Sequence, residues 1–197
     1  MSQEVLAQIE AQIGAYIQLS EEEKIAILET VVVQKIAKGT DLLRAGMLTS
    51  NAYQILEGCV RKYYLTEDGE DKTVDFFTEG QIAANFDTIN NQVPSEYYLT
   101  CTEDCLLLVV NSEKERATYT RFPRLESLAR IFLEQEIAKI QKRLTRYIMN
   151  SPEQRYKDLL EHRPDLLQRV PQYQLASYIG VKPESFSRIK RRYTQSK

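Results

Sequence analysis

The sequence predicts an α+β protein in which an antiparallel β-sandwich or barrel precedes a long helix and a helix-turn-helix. Short β-rich runs alternate with glycine-containing turns over residues 31–110, which is typical of antiparallel sheets. Over about residues 123–150 the apolar residues instead follow a helical period. The stretch 170–193 then has the pattern of two short helices joined by a tight turn.

The N-terminal segment is predicted to be helical. Residues 3–19 place apolar side chains at helical spacing, which indicates an amphipathic helix. Ser20 and Glu23 then have the spacing of a capping box, in which each side chain bonds the backbone N–H of the other residue. A second helix is therefore expected over about residues 21–30.

The predicted sheet region is a series of short β-rich runs. The runs lie at residues 31–37, 41–44, 52–57, 59–65, 72–77, 97–102 and 105–110. Residues 85–96 are polar and include Pro94, which cannot sit in the middle of a sheet, so they are predicted to form a loop. Cys59, Cys101 and Cys105 lie in or beside apolar runs without paired metal-ligand spacing, so buried thiols are expected.

A heptad seam runs along the predicted long helix. Its apolar positions are spaced 4, 3, 4 and 3 residues apart, as in a coiled coil, and they are Leu133, Ile137, Ile140, Leu144 and Tyr147. A narrow apolar stripe of this kind predicts packing against a second copy of the chain; the alternative is packing along the chain's own β domain. Ser151 and Pro152 have the residue types that begin a new helix, so a domain boundary is predicted there.

The C-terminal helices leave a polar face outside. Gly180 suits a turn that needs a positive φ, and Pro183 suits the first turn of a helix. Phe186 and Ile189 are three residues apart and can face inward together, which leaves serines and arginines on the other faces. A basic helix of this kind is what a major-groove reader needs. The alternative is a surface helical hairpin with solvated charges.

Charge divides the chain into two parts. Residues 1–138 carry a net charge of −11 and residues 139–197 a net charge of +9. A basic C-terminal third is expected of a nucleic-acid-binding segment. No apolar run is long enough to cross a membrane and no signal peptide is evident, so a cytoplasmic protein is expected. His162 is the single histidine, so a metal site, a cupin-type enzyme and a cofactor are not expected.

An acidic β-roll, a long dimer helix and a C-terminal helix-turn-helix, in that order, resemble the Crp/Fnr family of bacterial transcription regulators. Three local matches carry the resemblance: the glycine pattern L-L-R-A-G-M, Y-Q-I-L-E-G-C-V-R-K-Y-Y and E-D-G-E, then F-F-T-E-G-Q-I, then P-E-S-F-S-R-I. The family implies a double-stranded β-helix domain at 1–122, a dimerisation helix at 123–150 and a DNA-binding domain at 151–197. It also implies a homodimer on palindromic double-stranded DNA, with RNA polymerase as a further partner.

The recognition helix resembles the Fnr branch, which reads DNA with the pattern E-x-x-S-R. Glu184, Ser187 and Arg188 match it, and they imply half-sites similar to TTGAT or TGTGA. An arginine can bond guanine in bidentate fashion and a glutamate can accept from cytosine. The full candidate set is Gln172, Tyr173, Lys182, Glu184, Ser185, Ser187, Arg188, Arg191 and Arg192. The wing that follows the recognition helix in many members is expected to be absent, with Lys190, Arg191 and Arg192 taking over its phosphate contacts.

The effector cassette departs from the members that bind cyclic nucleotides. Those members have Gly-Glu in the cassette and Arg-Ser or Arg-Thr about ten residues later, where the arginine pairs the cyclic phosphate. Here the cassette reads Gly80, Gln81, Ile82 and Ala83, and the later pair is Ser95 and Glu96. A carboxylate beside the phosphate position would repel the anion, so cyclic AMP binding is not expected. The aromatic residues Phe76, Phe86, Tyr97 and Tyr98 are candidates to fill the pocket instead.

The sequence therefore predicts a homodimeric, sequence-specific DNA-binding regulator that is not an enzyme and whose effector is unidentified. The alternative is the same fold acting as a receptor for a cyclic nucleotide or another small molecule. The iron–sulfur type of member is excluded, because residues 1–58 contain no cysteine and the three present cannot supply four ligands.

Overall fold

The computed structural model describes residues 18–195. Helix α1, Glu21–Thr30, begins at the predicted capping box. The Ser20 hydroxyl accepts from the Glu23 N–H at 3.3 Å, and the Ser20 N–H donates to the Glu23 carboxylate at 2.8 Å. The predicted helix at 3–19 falls outside the described residues except for its last two positions.

Two four-stranded antiparallel sheets form the β-roll. Their strands are β1 (Val31–Ile36), β2 (Asp41–Leu43), β3 (Asn51–Glu57), β4 (Val60–Leu65), β5 (Asp71–Phe77), β6 (Ile82–Ala83), β7 (Tyr98–Cys101) and β8 (Cys105–Asn111). The strand orders are β1-β8-β3-β6 and β2-β7-β4-β5. Every predicted β-rich run is confirmed as a strand. The two-residue strand β6, which pairs with β3, was not predicted.

The β-roll core lies between the sheets. In β8 the side chains at Cys105, Leu107 and Val109 are buried on alternate positions, as the period of two requires for a strand with one inward face. Tyr53 of the neighbouring strand β3 and Leu99 of β7 in the other sheet belong to the same core. All three cysteines are free and buried, which confirms that prediction.

The prediction of a loop over residues 85–96 is wrong in part, because helix α2 occupies Phe86–Asn91. The Asn85 side chain caps this helix by accepting from the Thr88 N–H at 3.3 Å. The helix ends at Gln92, which takes a left-handed conformation with φ 55°. A helix this short has no apolar periodicity, so its polar composition could not be distinguished from that of a loop.

Helices α3 (Ser112–Arg121) and α4 (Pro123–Met149) follow the second sheet. Helix α3 was not predicted; the Asn111 side chain caps it by accepting from two N–H groups of its first turn. Helix α4 has 27 residues, which confirms the predicted long helix. Only Leu125 and Leu128, near its start, are buried.

The C-terminal part contains the predicted helix-turn-helix. Its helices are α5 (Pro152–His162), α6 (Leu166–Arg169), α7 (Gln172–Tyr178) and α8 (Pro183–Gln195). Gly180 has φ 73°, as expected at the turn between α7 and α8. The core of this part extends to Cys59 and Phe76 of the β-roll, so the helices pack directly on the second sheet. Within residues 18–195 no helix has the length and apolar character needed to cross a membrane.

Candidate nucleic-acid interface

Helix α8 presents the predicted reading residues to solvent. Phe186 and Ile189 are buried, which fixes the rotation of the helix. Glu184, Ser187 and Arg188 are consequently exposed. A guanidinium N–H of Arg188 donates to the Ser185 hydroxyl at 3.1 Å, so these side chains form a contiguous polar surface.

The other candidate DNA contacts flank this surface. Gln172 and Tyr173 are exposed at the start of α7, and Lys182 is exposed in the turn. Arg191 and Arg192 are exposed further along α8, where Arg192 lies 3.8 Å from the Glu153 carboxylate of α5. The exposed candidate residues lie on both helices of the motif, as expected of a protein that contacts DNA phosphates as well as bases.

The turn between α7 and α8 is held against the end of the long helix. Arg155 donates to the backbone oxygens of Ile179 at 2.8 Å and Asn150 at 3.1 Å. Its guanidinium also lies 4.3 Å from the centre of the Tyr147 ring. A Cβ on Gly180 would come within 2.3 Å of the Tyr147 hydroxyl, so only glycine fits beside α4 at this position.

Among the described residues 18–195, the apolar side chains of the heptad seam of α4 stay largely uncovered. Its five residues are exposed by 42–56%: Leu133, Ile137, Ile140, Leu144 and Tyr147. Tyr147 is the member that also contacts the helix-turn-helix. The other four remain about half exposed within the described part of the chain, and packing against a second copy stays a prediction.

The effector cassette uses its polar groups within the protein. The Gly80 N–H donates to the Ile55 oxygen at 2.9 Å, and the Gln81 N–H donates to the Thr78 oxygen at 3.0 Å. The Gln81 amide oxygen accepts from the Thr78 N–H at 2.8 Å. Ile82 is exposed and Ala83 is buried.

The second half of the cassette is a closed hydrogen-bond network. The buried Ser95 hydroxyl accepts from the Asn85 amide at 3.0 Å and donates to the Tyr97 oxygen at 2.8 Å. The Tyr97 hydroxyl donates to the Ala84 oxygen at 3.1 Å, and burial raises its pKa. Glu96 is exposed. The Lys62 ammonium group lies 3.6 Å from the centre of the Tyr97 ring, and burial lowers the pKa of Lys62.

The aromatic residues proposed as pocket fillers go to different places. Tyr97 is buried beside the cassette, and Tyr98 stacks on Tyr63 at 5.1 Å between ring centres. Phe86 is 51% exposed. Phe76 belongs to the core shared with the helix-turn-helix, where its ring meets Tyr178 edge to face. Phe76 and Phe86 therefore do not fill the pocket.

An ion-pair network that the sequence reasoning missed joins α6 to the β-roll. Arg169 donates to both oxygens of Glu79 at 2.8 Å and to Glu103 at 3.0 and 2.5 Å. These bonds hold the pKa of Glu79 down at about 2. Arg163 adds bonds to the Phe76 oxygen and the Thr78 hydroxyl, at 3.1 and 3.2 Å.

A second missed pair joins α4 to β5. Arg143 donates to both oxygens of the buried Asp75 carboxylate, at 3.0 and 2.5 Å. Burial raises the pKa of Asp75, and the Arg143 charge opposes that shift. Both pairs join residues 66 or more positions apart, so no local pattern signals them.

One side-chain group in the described part of the chain has the proximity of metal ligands. Asp158, Glu161 and His162 place one ligand atom each within 4.8 Å of the others on α5. The His162 Nε2 atom is 3.0 Å from an Arg146 guanidinium nitrogen. A fixed cation at that position opposes a metal ion.

Residues 33–121 match the family of cyclic nucleotide-binding domains. None of the curated proteins compared with the chain matches it. Among solved structures, the c-di-GMP-responsive global regulator CLP of Xanthomonas campestris is 16% identical, with a TM-score of 0.68 over 90% of this chain and 93% of that one. FixK2 of Bradyrhizobium japonicum is also 16% identical, with a TM-score of 0.68 over 84% and 86%.

A third structure, from Eubacterium rectale, is assigned to the Crp/Fnr family of transcriptional regulators. It is 15% identical, with a TM-score of 0.68 over 90% of this chain and 85% of that one. At these identities the similarity concerns the fold, which extends over the β-roll, the long helix and the helix-turn-helix together. Residues 33–121 are therefore similar to cyclic nucleotide-binding domains, and the chain has the fold of the Crp/Fnr-family regulators.

Proposed function

We propose that the chain is a sequence-specific DNA-binding transcription regulator that acts as a homodimer. The observation that carries the proposal is the outer surface of α8, where Glu184, Ser187 and Arg188 are exposed over a buried Phe186 and Ile189. These residue types pair with base edges in the major groove. The Crp/Fnr-family transcriptional regulator from Eubacterium rectale, which has the same fold, supports this role.

The uncovered heptad seam supports the dimer. Four apolar side chains on one face of the helix are 45–56% exposed, so each leaves unused about half of the roughly 1.5–3 kcal/mol that full burial contributes: Leu133, Ile137, Ile140 and Leu144. A second copy of α4 offers the same spacing and can bury both stripes. A two-fold axis along this seam brings two recognition helices to one palindromic site.

The hydrogen bonds within the cassette support the proposal that the β-roll does not bind cyclic nucleotides. Ser95 and Asn85 bond each other in the interior, and Gln81 bonds Thr78, so these groups are not available to a ribose or a phosphate without breaking existing bonds. The exposed Glu96 adds a negative charge. The β-roll is instead the support on which the helix-turn-helix docks.

The DNA-binding experiment measures anisotropy of labelled duplexes. The duplexes carry two half-sites similar to TTGAT or TGTGA about 10 base pairs apart, centre to centre. Arg188→Ala is expected to weaken binding by about 1–3 kcal/mol and to relax the preference at one base position. Arg116→Ala, which removes an exposed arginine from α3, is the matched control and should leave the affinity unchanged. Equal affinity of Arg188→Ala and the parent would refute the assignment of α8.

The alternative function is a small-molecule receptor on the same fold. It is favoured by the cyclic nucleotide-binding family match and by CLP, which responds to c-di-GMP. Calorimetry with cyclic AMP and with c-di-GMP separates the two: tight binding of either would show that the cassette network opens. Contact with RNA polymerase, the cytoplasmic location and the lack of enzymatic activity stay predictions.

A further inference from the structure

Gln174 is a buried polar residue in α7, the first helix of the helix-turn-helix. The residue is 9% exposed and stands between the exposed Tyr173 and the fully buried Leu175. Its backbone N–H donates to the Pro171 oxygen at 3.0 Å, so it belongs to the first turn of the helix. Glutamine is seldom buried, because an amide taken out of water costs free energy unless its polar atoms are paired. The hydrogen bonds of this amide therefore indicate what the glutamine does here.

The Gln174 amide is paired at its nitrogen. The Nε2 atom donates to the Tyr173 hydroxyl at 3.1 Å. The Oε1 atom is buried, and no hydrogen bond reaches it within the part of the chain that the structure describes. A buried acceptor without a donor destabilises the folded chain, and methionine would fill a similar volume without that cost. What glutamine provides and an apolar side chain of this size does not is the bond to Tyr173.

That bond fixes the direction in which the Tyr173 hydroxyl donates. A tyrosine hydroxyl has one proton to donate and can also accept, whereas an amide NH₂ group donates only. The Tyr173 proton therefore does not point at the Gln174 nitrogen. Tyr173 is 52% exposed, so this proton is available to a group outside the chain. Accepting from the amide also polarises the O–H bond and strengthens it as a donor.

We propose that Gln174 is a positioning residue for DNA binding, whose amide directs the Tyr173 hydroxyl proton to an oxygen of a backbone phosphate. This role deepens the proposed function and rests on it. The first helix of a helix-turn-helix crosses the sugar–phosphate backbone while the second helix lies in the major groove. A hydroxyl donor on α7 is therefore suited to a phosphate, whose oxygens accept. Gln174 acts through Tyr173 and does not contact the DNA.

The anisotropy assay with the palindromic duplexes measures the effect. Tyr173→Phe removes the donor and should weaken binding about tenfold, as expected for a hydrogen bond to a charged oxygen. Gln174→Met keeps the length of the side chain without the amide and should weaken binding about threefold. Added to Tyr173→Phe, Gln174→Met should change the affinity by less than about twofold, since the group that it positions is gone.

Three outcomes of this cycle would overturn the proposal. Gln174→Met with the affinity of the parent would mean that the amide does not help Tyr173. Tighter binding of Gln174→Met would mean that the hydroxyl donates towards residue 174 in the parent. An equal loss with and without the Tyr173 hydroxyl would mean that Gln174 acts by another route.

Urea unfolding separates positioning from support of the fold. Gln174→Met replaces a buried acceptor that has no donor by apolar atoms, so the urea midpoint should equal or exceed that of the parent. Affinity should fall while stability does not. A lower midpoint in Gln174→Met would show a structural role and would overturn the proposal.

A scrambled duplex of the same length tests the contact with phosphate. Phosphate contacts carry no base preference, so at low salt Gln174→Met should weaken binding to both duplexes by the same factor. Arg188→Ala, in contrast, should weaken binding to the palindromic duplex more than to the scrambled one. A loss confined to the palindromic duplex in Gln174→Met would overturn the assignment to a phosphate. A parent that binds neither duplex would refute the proposed function together with this role, whereas a parent that binds both, with Gln174→Met unchanged, would refute the role of Gln174 alone.

Discussion

Arg143→Met should destabilise the protein more than Asp75→Asn, although both changes remove the same ion pair. The Asp75 side chain is 7% exposed and the Arg143 side chain is 38% exposed. Removing the arginine leaves a buried carboxylate that still accepts from the Phe76 N–H at 2.9 Å. Removing the carboxylate charge leaves a guanidinium that water can reach.

The magnitudes follow from this asymmetry. Breaking a buried pair from one side costs about 3–5 kcal/mol, and the Phe76 N–H reduces the expected loss for Arg143→Met to about 3 kcal/mol. Asp75→Asn keeps an acceptor oxygen for that N–H and should cost about 1 kcal/mol, because the partner is more than a third exposed. Methionine retains most of the arginine stem, so the difference reports charge more than packing.

The pH dependence of the unfolding free energy tests the Asp75–Arg143 ion pair in a second way. Burial already raises the pKa of Asp75, and Arg143→Met removes the charge that opposes this rise. A carboxyl with a raised pKa binds its proton more tightly in the folded state. Its stabilising contribution is therefore complete below the ordinary value of 3.8 and is lost as pH rises through the raised value. The variant should lose more stability than the parent as pH rises from about 4 towards 7.

Urea unfolding at fixed protomer concentration measures these differences, because a dimer's stability depends on concentration. Lys142→Met, an exposed neighbour on α4, is the matched control and should change the free energy of unfolding by less than about 0.5 kcal/mol. Equal losses in Arg143→Met and Asp75→Asn, or a larger loss in Asp75→Asn, would refute the reasoning.

Three further predictions concern the dimer, the turn and the interdomain network. Ile137→Asp should convert the proposed dimer to a monomer, as measured by light scattering, whereas Lys142→Asp on the opposite face of α4 should not. Gly180→Ala should lower the free energy of unfolding by about 2 kcal/mol in urea, because φ is 73° and a Cβ would meet a tyrosine hydroxyl; an unchanged value would mean that the turn relaxes freely. Glu79 has a pKa of about 2 against 4.5 ordinarily, so its ion pair with Arg169 stabilises above pH 4.5 and is lost as pH falls from 4.5 towards 2. Since Glu79 is 47% exposed, Glu79→Gln should remove only about 1 kcal/mol of that acid-dependent stability, and a parent-like acid profile would contradict it.

Sequence patterns predicted the elements whose length reveals a period. Strands β1 and β3 extend over six and seven residues, and the heptad of α4 covers residues 133–147 of a 27-residue helix, so these elements were assigned correctly. Strand β6 has two residues and α2 has six, too few for a period to be visible. Capping side chains determine such short elements, and capping residues are also common in loops.

The buried Phe76 shows a different reason for a missed prediction. Strand alternation indicates which residues share a face, but it does not say what covers that face. Phe76 lies on β5 and was considered for the effector pocket, whereas it packs under the helix-turn-helix. The partners of Asp75 and Arg169 were missed for the same reason, since they come from elements 66 to 90 positions away.

Strand β5 contacts both the long helix and the helix-turn-helix. The Thr73 N–H donates to the Ser177 hydroxyl of α7 at 2.8 Å, and Asp75 bonds Arg143 of α4. The Phe76 oxygen accepts from Arg163 at 3.1 Å. A strand is too rigid for these residues to move separately, so a shift of β5 would displace α4 and α7 together. The orientation of the two recognition helices in a dimer would therefore be set where β5 meets both elements, and a signal reaching this strand could change DNA binding without contacting α8.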